Sequence, residues 1–296
     1  MTRVLACALA ASFFCVATGA SLDPQPRRVY VAALDGKGSP VTDLSPADFL
    51  VKEGGKARDV IKADPATGRM QIAILVDDNG TGMFRYGVAK FIETLQGRAE
   101  FAISTVTGQM LRLTDYTTSV PELTDAIGKI NARPASNDGG QLLEGISETA
   151  VDMMKRRAGR PIILALTVGG EEHSTLPAHH VLDQLRLSGA ALHVVAVVGS
   201  TLRSTVAPSS PAALLQENMN LGEVLGDGSK HSGGSYSEIT AVPGMVANLQ
   251  QLADSLKNQY AIEYALPDGV KPSDRLSVMT KRRGVTLRAP THISDK

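Results

Sequence analysis

The feature that most constrains this chain is an unbroken apolar run, Ile72–Val76, that leads directly into the polar segment Asp77–Gly82. A strand with one solvated face alternates apolar and polar residues, so a run without alternation indicates a strand buried on both faces of a parallel sheet. Loops that follow such strands meet at one edge of the sheet, where ligands bind. The carboxylate, amide and hydroxyl oxygens of the polar segment suit a hard cation such as Mg²⁺.

The segments after this run alternate between helical and strand patterns. Apolar spacing predicts helices at 82–96, 120–130, 140–154, 178–187 and 242–256, and strands at 101–106, 110–113, 161–168 and 191–198. Alternation of this kind is typical of βαβ units. We therefore predict an α/β fold with a mainly parallel central sheet flanked by helices.

The flanking segments have strand and turn patterns instead. A strand is predicted at 27–34, a short helix at Ser45–Asp48, and hairpins at 50–63 and 276–288, with a strand at 259–265 between them. The segment 201–236 contains prolines and a Gly/Ser-rich end, which predicts a partial loop. The expected organisation is a signal peptide at 1–20, a β-rich N-terminal segment at 21–69, a core at 70–200, a loop-rich connection at 201–241, and a C-terminal helix with strands at 242–296.

The N-terminus has the pattern of a secretory signal peptide. Arg3 precedes an apolar segment, Val4–Ala17, that is followed by small residues up to a predicted cleavage site near Ala20, with a retained anchor as the alternative. Both cysteines, Cys7 and Cys15, lie in this leader, so the exported chain should contain no disulfide. No later run is long enough to span a bilayer, so we expect a periplasmic or secreted protein without a membrane segment after cleavage.

The composition excludes a nucleic-acid-binding surface. The chain has 30 Lys and Arg residues against 30 Asp and Glu residues, so no overall field attracts a polyanion. Aromatic residues make up 4% and Trp is absent, which leaves few side chains on which bases could stack.

The order of these parts resembles a von Willebrand factor A (vWA) domain, and more narrowly the VWFA-related domain of exported bacterial proteins. The segment Val29–Phe49 resembles the first strand, turn and helix of that group. The segment Gln259–Tyr264, the turn Asp268-Gly269 and the closing segment Val285–Arg288 resemble its ending. The resemblance covers nearly the whole chain after the leader. It implies a Rossmann-like fold and a non-enzymatic role in protein–protein adhesion or scaffolding.

The family's metal-ion-dependent adhesion site uses an Asp-x-Ser-x-Ser loop, a Thr from a second loop and an Asp from a third. Carried over, the metal ligands here are Asp77, Asn79, Thr81 and Gln141, while Val168 stands where the third-loop Asp is expected. A valine supplies no charge to offset the desolvation of a cation, so the site is degenerate. We expect no cofactor, with weak binding of Mg²⁺ or another divalent cation as the alternative.

The same resemblance implies a partner surface on these loops. Its residues are Asp78, Gly80, Gly82, Asp138, Val168 and Glu171. Three of them, Asp78, Asp138 and Glu171, are acids that could compensate for the missing third-loop carboxylate. We expect a protein partner, and neither nucleic acid nor membrane.

The competing hypothesis is an enzyme. The first loop also resembles the Asp-x-Asp-Gly-Thr loop of haloacid-dehalogenase-like phosphatases, in which the first Asp would be Asp77 and would attack phosphorus. Asn79 stands at the second Asp and cannot transfer a proton. Three histidines, His173, His179 and His180, have no nearby nucleophile motif and are interpreted as surface residues. The prediction is therefore a non-enzymatic module.

Overall fold

The structure is a computed structural model that describes residues 26–78, 80–106, 109–130, 140–169, 173–197, 219–267 and 269–293. The predicted signal peptide lies outside the described residues, together with Cys7 and Cys15. The same is true of three predicted site residues, Asn79, Asp138 and Glu171. No described helix has both the length and the apolar character needed to cross a bilayer.

The described strands and helices follow the predicted order. The strands are β1 (Arg27–Leu34), β2 (Phe49–Glu53), β3 (Lys56–Arg58), β4 (Val60–Pro65), β5 (Met70–Asp77), β6 (Ala99–Thr105), β7 (Leu111–Thr117), β8 (Pro161–Thr167), β9 (Ala191–Val197), β10 (Ser235–Ile239), β11 (Tyr260–Tyr264), β12 (Leu276–Thr280) and β13 (Thr286–Arg288). The α-helices are α1 (Arg85–Leu95), α2 (Val120–Gly128), α3 (Leu142–Lys155), α4 (Ala178–Ser188), α5 (Ser229–His231) and α6 (Val242–Lys257). A 3₁₀ turn covers Pro46–Asp48, and a π-helical segment, Glu223–Gly228, precedes α5.

The central sheet has the order β10-β9-β8-β5-β6-β7. Its strands are parallel except β7, which pairs antiparallel with β6. Along β5, Ile72, Ile74 and Val76 pack in one cluster with α1, α2 and α6. Ala73 and Leu75 pack in a second cluster with α3 and α4 on the other face. Helices on both faces explain why β5 is apolar without alternation and confirm the predicted α/β fold.

The strand β10 lies at 235–239, partly within the segment predicted as a partial loop. Its sequence, Ser-Tyr-Ser-Glu-Ile, has little apolar content because β10 is an edge strand and is paired only with β9. Gly234 allows this pairing, since a Cβ atom there would lie 1.8 Å from the carbonyl oxygen of Leu192. The last strand of the sheet therefore depends on a close backbone approach that no local pattern indicates.

The N- and C-terminal segments form one β-rich unit made of two sheets, β13-β1-β11-β4 and β12-β2-β3. The predicted hairpin at 50–63 is wrong beyond residue 58, because β3 pairs with β2 whereas β4 pairs with β11. The predicted closing hairpin is also wrong, since β12 pairs with β2 and β13 pairs with β1. The strands β1, β2, β4, β11, β12 and β13 contribute apolar side chains to one cluster that includes Val31, Phe49 and Ile262, so long-range packing overrides the local turn.

Arg160 joins this β-rich unit to the amino ends of the parallel strands. Its guanidinium donates to the carbonyl oxygens of Gly68 (3.0 Å) and Leu256 (2.7 Å) and to Oε1 of Gln259 (2.7 Å), and lies 5.0 Å from the centre of the Tyr30 ring. The residue is 4% exposed, and burial lowers its pKa to about 10, so it stays charged near neutral pH. This contact holds the β-rich unit at the amino ends of the strands, opposite the edge at which the loops after β5 and β8 lie.

Candidate functional site

The predicted loops meet at the carboxyl edge of the central sheet. The backbone N–H of Val168 donates to the carbonyl oxygen of Asp77 at 3.0 Å, which joins the ends of β5 and β8. On the other side, Val106 N–H donates to Val76 at 3.0 Å, and Gln141 N–H donates to Val106 at 3.1 Å. The structure thus brings Asp77, Gln141 and Val168 to one place. We call the edge formed by Asp77–Gly82, Gln141–Glu144 and Thr167–Thr175, as far as these are described, the rim.

Asp77 ends β5 with a partly exposed side chain. Its Oδ2 accepts a hydrogen bond from the hydroxyl of Thr167 at 2.8 Å, and that hydroxyl also accepts the N–H of Gly169 at 3.0 Å. Burial of the carboxylate raises the pKa of Asp77, the Thr167 hydrogen bond opposes this shift, and the charge of Asp78 adds to it. Thr167 therefore orients the carboxylate, and among the described residues no basic side chain contributes to its environment.

Asp78 has a different role, because its side chain turns back into its own loop. Its Oδ1 accepts the N–H of Gly80 at 3.0 Å, and its Oδ2 accepts the N–H of Gly82 at 2.6 Å. The side chain is 1% exposed, and burial raises its pKa while these two hydrogen bonds oppose the shift. Both glycines have positive φ, 78° and 69°, which a residue with a Cβ atom adopts only with strain. Asp78 organises the loop and leaves Thr81 exposed beside it.

The second and third loops are also bound to each other. His173 N–H donates to the carbonyl oxygen of Gly140 at 2.7 Å, and the hydroxyl of Ser174 accepts the N–H of Leu143 at 3.2 Å in the first turn of α3. Glu144 Oε1 accepts the N–H of Thr175 at 2.5 Å. The sequence predictions placed Val168–Ser174 on the partner surface but did not include Thr167 or Glu144. The sequence feature that could have indicated them is that polar residues lie on both sides of Val168, at the end of the strand.

The described rim residues do not fit a divalent cation. Asp77 is the one carboxylate in the predicted ligand set, which also contains Thr81 and Gln141. The neighbouring Asp78 cannot take its place as a second ligand, because both of its oxygens are bound to backbone amides. Val168 is 6% exposed and has no donor atom. Across the described part of the chain, no three His, Cys, Asp or Glu side chains are grouped so that they could hold a metal ion. A single carboxylate offsets little of the cost of dehydrating a doubly charged ion.

The strand order, the antiparallel edge strand and the two helical layers have the arrangement of a von Willebrand factor A-type α/β fold, to which a β-rich unit is added. The rim occupies the edge at which such folds present their ligand-binding loops.

Comparisons with solved structures return vWA proteins. Von Willebrand factor type A from Catenulispora acidiphila is 11% identical, with a TM-score of 0.48, over 93% of this chain and 76% of that one. Proximal thread matrix protein 1 from the mussel byssus, with a zinc-occupied MIDAS motif, is 12% identical, with a TM-score of 0.46, over 73% of this chain. The chain matches 49% of the length of that mussel protein. BatB from Bacteroides thetaiotaomicron is 12% identical, with a TM-score of 0.41, over 64% of this chain and 100% of that one.

No protein-family model matches the chain, and no curated protein matches it by sequence. Because the TM-scores of these three structures are below 0.5, the fold assignment rests on the strand order and helix order of this chain itself.

Proposed function

We propose that this chain is an exported, non-enzymatic module that binds a protein partner through the rim. The observation that carries the proposal is the set of hydrogen bonds between the loops, in particular those from Val168 to Asp77 and from His173 to Gly140. Loops that are ordered before binding lose less conformational entropy when a partner docks, which favours recognition.

The rim also offers a surface of suitable chemistry. Thr81 is exposed, and Gln141 and Asp77 are partly exposed at the ends of rigid elements. The nearby Tyr86, on the first turn of α1, is 63% exposed, and tyrosine is enriched at protein interfaces. A polar edge with an aromatic side chain beside it supports protein recognition over binding of a small apolar ligand.

The experiment is a pair of matched substitutions to arginine. Thr81→Arg places a long side chain on the rim, whereas Gln96→Arg places the same side chain at the exposed C-terminal end of α1, on the opposite edge of the sheet. We expect a partner captured from the exported fraction of the native cell to be lost with Thr81→Arg and retained with Gln96→Arg. Equal recovery with both variants would contradict the proposal.

The phosphatase hypothesis has a separate test. Asp78, the acid next to Asp77, is bound to backbone amides through both oxygens. These bonds favour a structural role for Asp78 over a role in proton transfer. We expect no turnover across a panel of phosphate esters. Turnover that Asp77→Asn abolishes would replace the binding proposal with an enzymatic one.

Export is tested on the protein produced by its native cell. We expect the N-terminal sequence of the exported form to begin close after Ala20, as the leader predicts. A chain that keeps its leader and stays with the cell membrane would instead support the anchor alternative.

A further inference from the structure

We propose that the group which the rim binds is a single basic side chain, Lys or Arg, of the partner, accepted by Asp77 without a metal ion. This inference rests on the proposed function above and specifies the chemistry of the partner. It also differs from the metal-mediated binding that the family resemblance implies.

The first argument is the charge around Asp77. Its Oδ2 is bound to Thr167, and its Oδ1 has no hydrogen-bond partner among the described residues. The charged neighbour that acts on it is Asp78, which is negative as well. The first cation after Asp77 in the sequence, Arg85, is attracted to Asp78 and donates a hydrogen bond to the carbonyl oxygen of Gly128. The carboxylate of Asp77 therefore has no matching positive charge from the described part of the chain.

A second carboxylate of the rim has the same property. Glu144 uses Oε1 to hold Thr175, while its Oε2 is buried and has no partner among the described residues. Because Oε2 is buried, a docking partner does not reach it, and Glu144 acts on a partner through its charge alone. Glu144 thus adds negative potential at the same edge of the sheet.

The third argument concerns which cation fits. A divalent ion needs about six oxygen ligands and several negative charges, and Asp78 and Val168 provide none of them here. An ammonium or guanidinium group carries one positive charge and several N–H donors, which match the uncommitted Oδ1 of Asp77. An acidic partner would meet the charges of Asp77, Asp78 and Glu144 without an intervening cation, and like charges across an interface are repelled.

The test is a selection from a random peptide library on the full chain, done in parallel in Mg²⁺ and in EDTA. We expect the same peptides in both buffers, with a shared Lys or Arg. By calorimetry, Asp77→Asn should weaken the selected peptide by about tenfold or more, and Lys→Gln or Arg→Gln in the peptide should cause a similar loss. The two losses should not add, because both remove the same contact. The matched control is Asp125→Asn, an exposed carboxylate on α2 that pairs with Lys129 and should leave affinity unchanged.

The outcomes separate this inference from the proposed function. If Thr81→Arg blocks the peptides but Asp77→Asn does not, or if the selected peptides are acidic and need Mg²⁺, the rim binds partners and the basic-side-chain inference is wrong. If peptides bind Thr81→Arg and Asp77→Asn as they bind the native chain, the rim is not the binding face and both proposals are wrong. A selection that enriches no peptide contradicts both as well.

Discussion

Asp77→Asn should make the folded chain more stable near neutral pH while it weakens partner binding. The asparagine side chain has the same shape as aspartate and keeps an oxygen acceptor for the Thr167 hydroxyl, which lies 2.8 Å from the carboxylate. What the substitution removes is a partly buried negative charge that has Asp78 beside it and no positive neighbour in the described parts of the chain. A residue that costs stability in the free protein and is needed for binding is typical of a functional site.

The size of the gain follows from these contacts. The hydrogen bond is kept with a neutral acceptor, and because a bond to a carboxylate is the stronger one, this change offsets part of the gain. Complete burial of an unpaired carboxylate costs several kcal/mol, and the Asp77 side chain is still partly exposed. We therefore expect Asp77→Asn to raise the free energy of unfolding by about 1–2 kcal/mol near neutral pH.

The pH dependence of the free energy of unfolding is a second test of the sign of this stability change. Because the pKa of Asp77 is raised in the folded state, the folded chain binds this proton more tightly than the unfolded chain does. Stability from this group is fully present below the ordinary value of 3.8 and is lost as pH rises through the folded-state pKa. The advantage of Asp77→Asn should therefore be largest at neutral pH and shrink as the pH falls toward 3.8.

The assay is urea denaturation of both proteins at neutral and mildly acidic pH, with Asp125→Asn as the control. Asp125 is 64% exposed, so its substitution should change stability by less than about 0.5 kcal/mol at either pH. If Asp77→Asn lowers the free energy of unfolding at neutral pH by about 1 kcal/mol or more, the carboxylate has a cationic partner in the folded protein. That result would refute the inference that the Asp77 carboxylate has no positively charged partner in the folded protein.

Three further substitutions test the architecture by the same denaturation assay. Arg160→Met should cost about 2–3 kcal/mol, because two buried acceptors and one part-buried acceptor lose their donor; a cost below about 1 kcal/mol would show that Arg160 does not join the two units. Gly234→Ala should destabilise the chain severely, since its Cβ atom would lie 1.8 Å from the Leu192 carbonyl oxygen. The control is Gly226→Ala, which has open space around it and should be tolerated. Equal effects of the two substitutions would contradict the close approach of β9 and β10. Thr167→Val should cost about 1–2 kcal/mol, because it removes the hydroxyl that bonds the rim carboxylate and a backbone N–H; an unchanged midpoint would argue against this contact.

The sequence alone was sufficient for β5, β6, β8 and β9 of the central sheet, but not for its edge strand β10. The run Ile72–Val76 predicted a strand buried on both faces, and helical spacing predicted α1 to α4 and α6 close to their observed positions. These elements could be predicted because a buried face requires apolar residues at the period of its strand or helix, and this period is visible in the sequence. The order of strands and helices along the chain also indicated that the loops after β5 and β8 would reach the same edge.

Only the tertiary structure decided how distant segments pair and what each rim carboxylate does. Local turns predicted two hairpins in the β-rich unit, whereas packing sends β3 and β4, and likewise β12 and β13, to different sheets. Adjacent in sequence and identical in chemistry, Asp77 and Asp78 have opposite roles, because a threonine 90 residues away binds one and the backbone of its own loop binds the other. A local pattern records which residues are buried, but it does not record which distant atoms they meet, and the function of a carboxylate depends on those atoms.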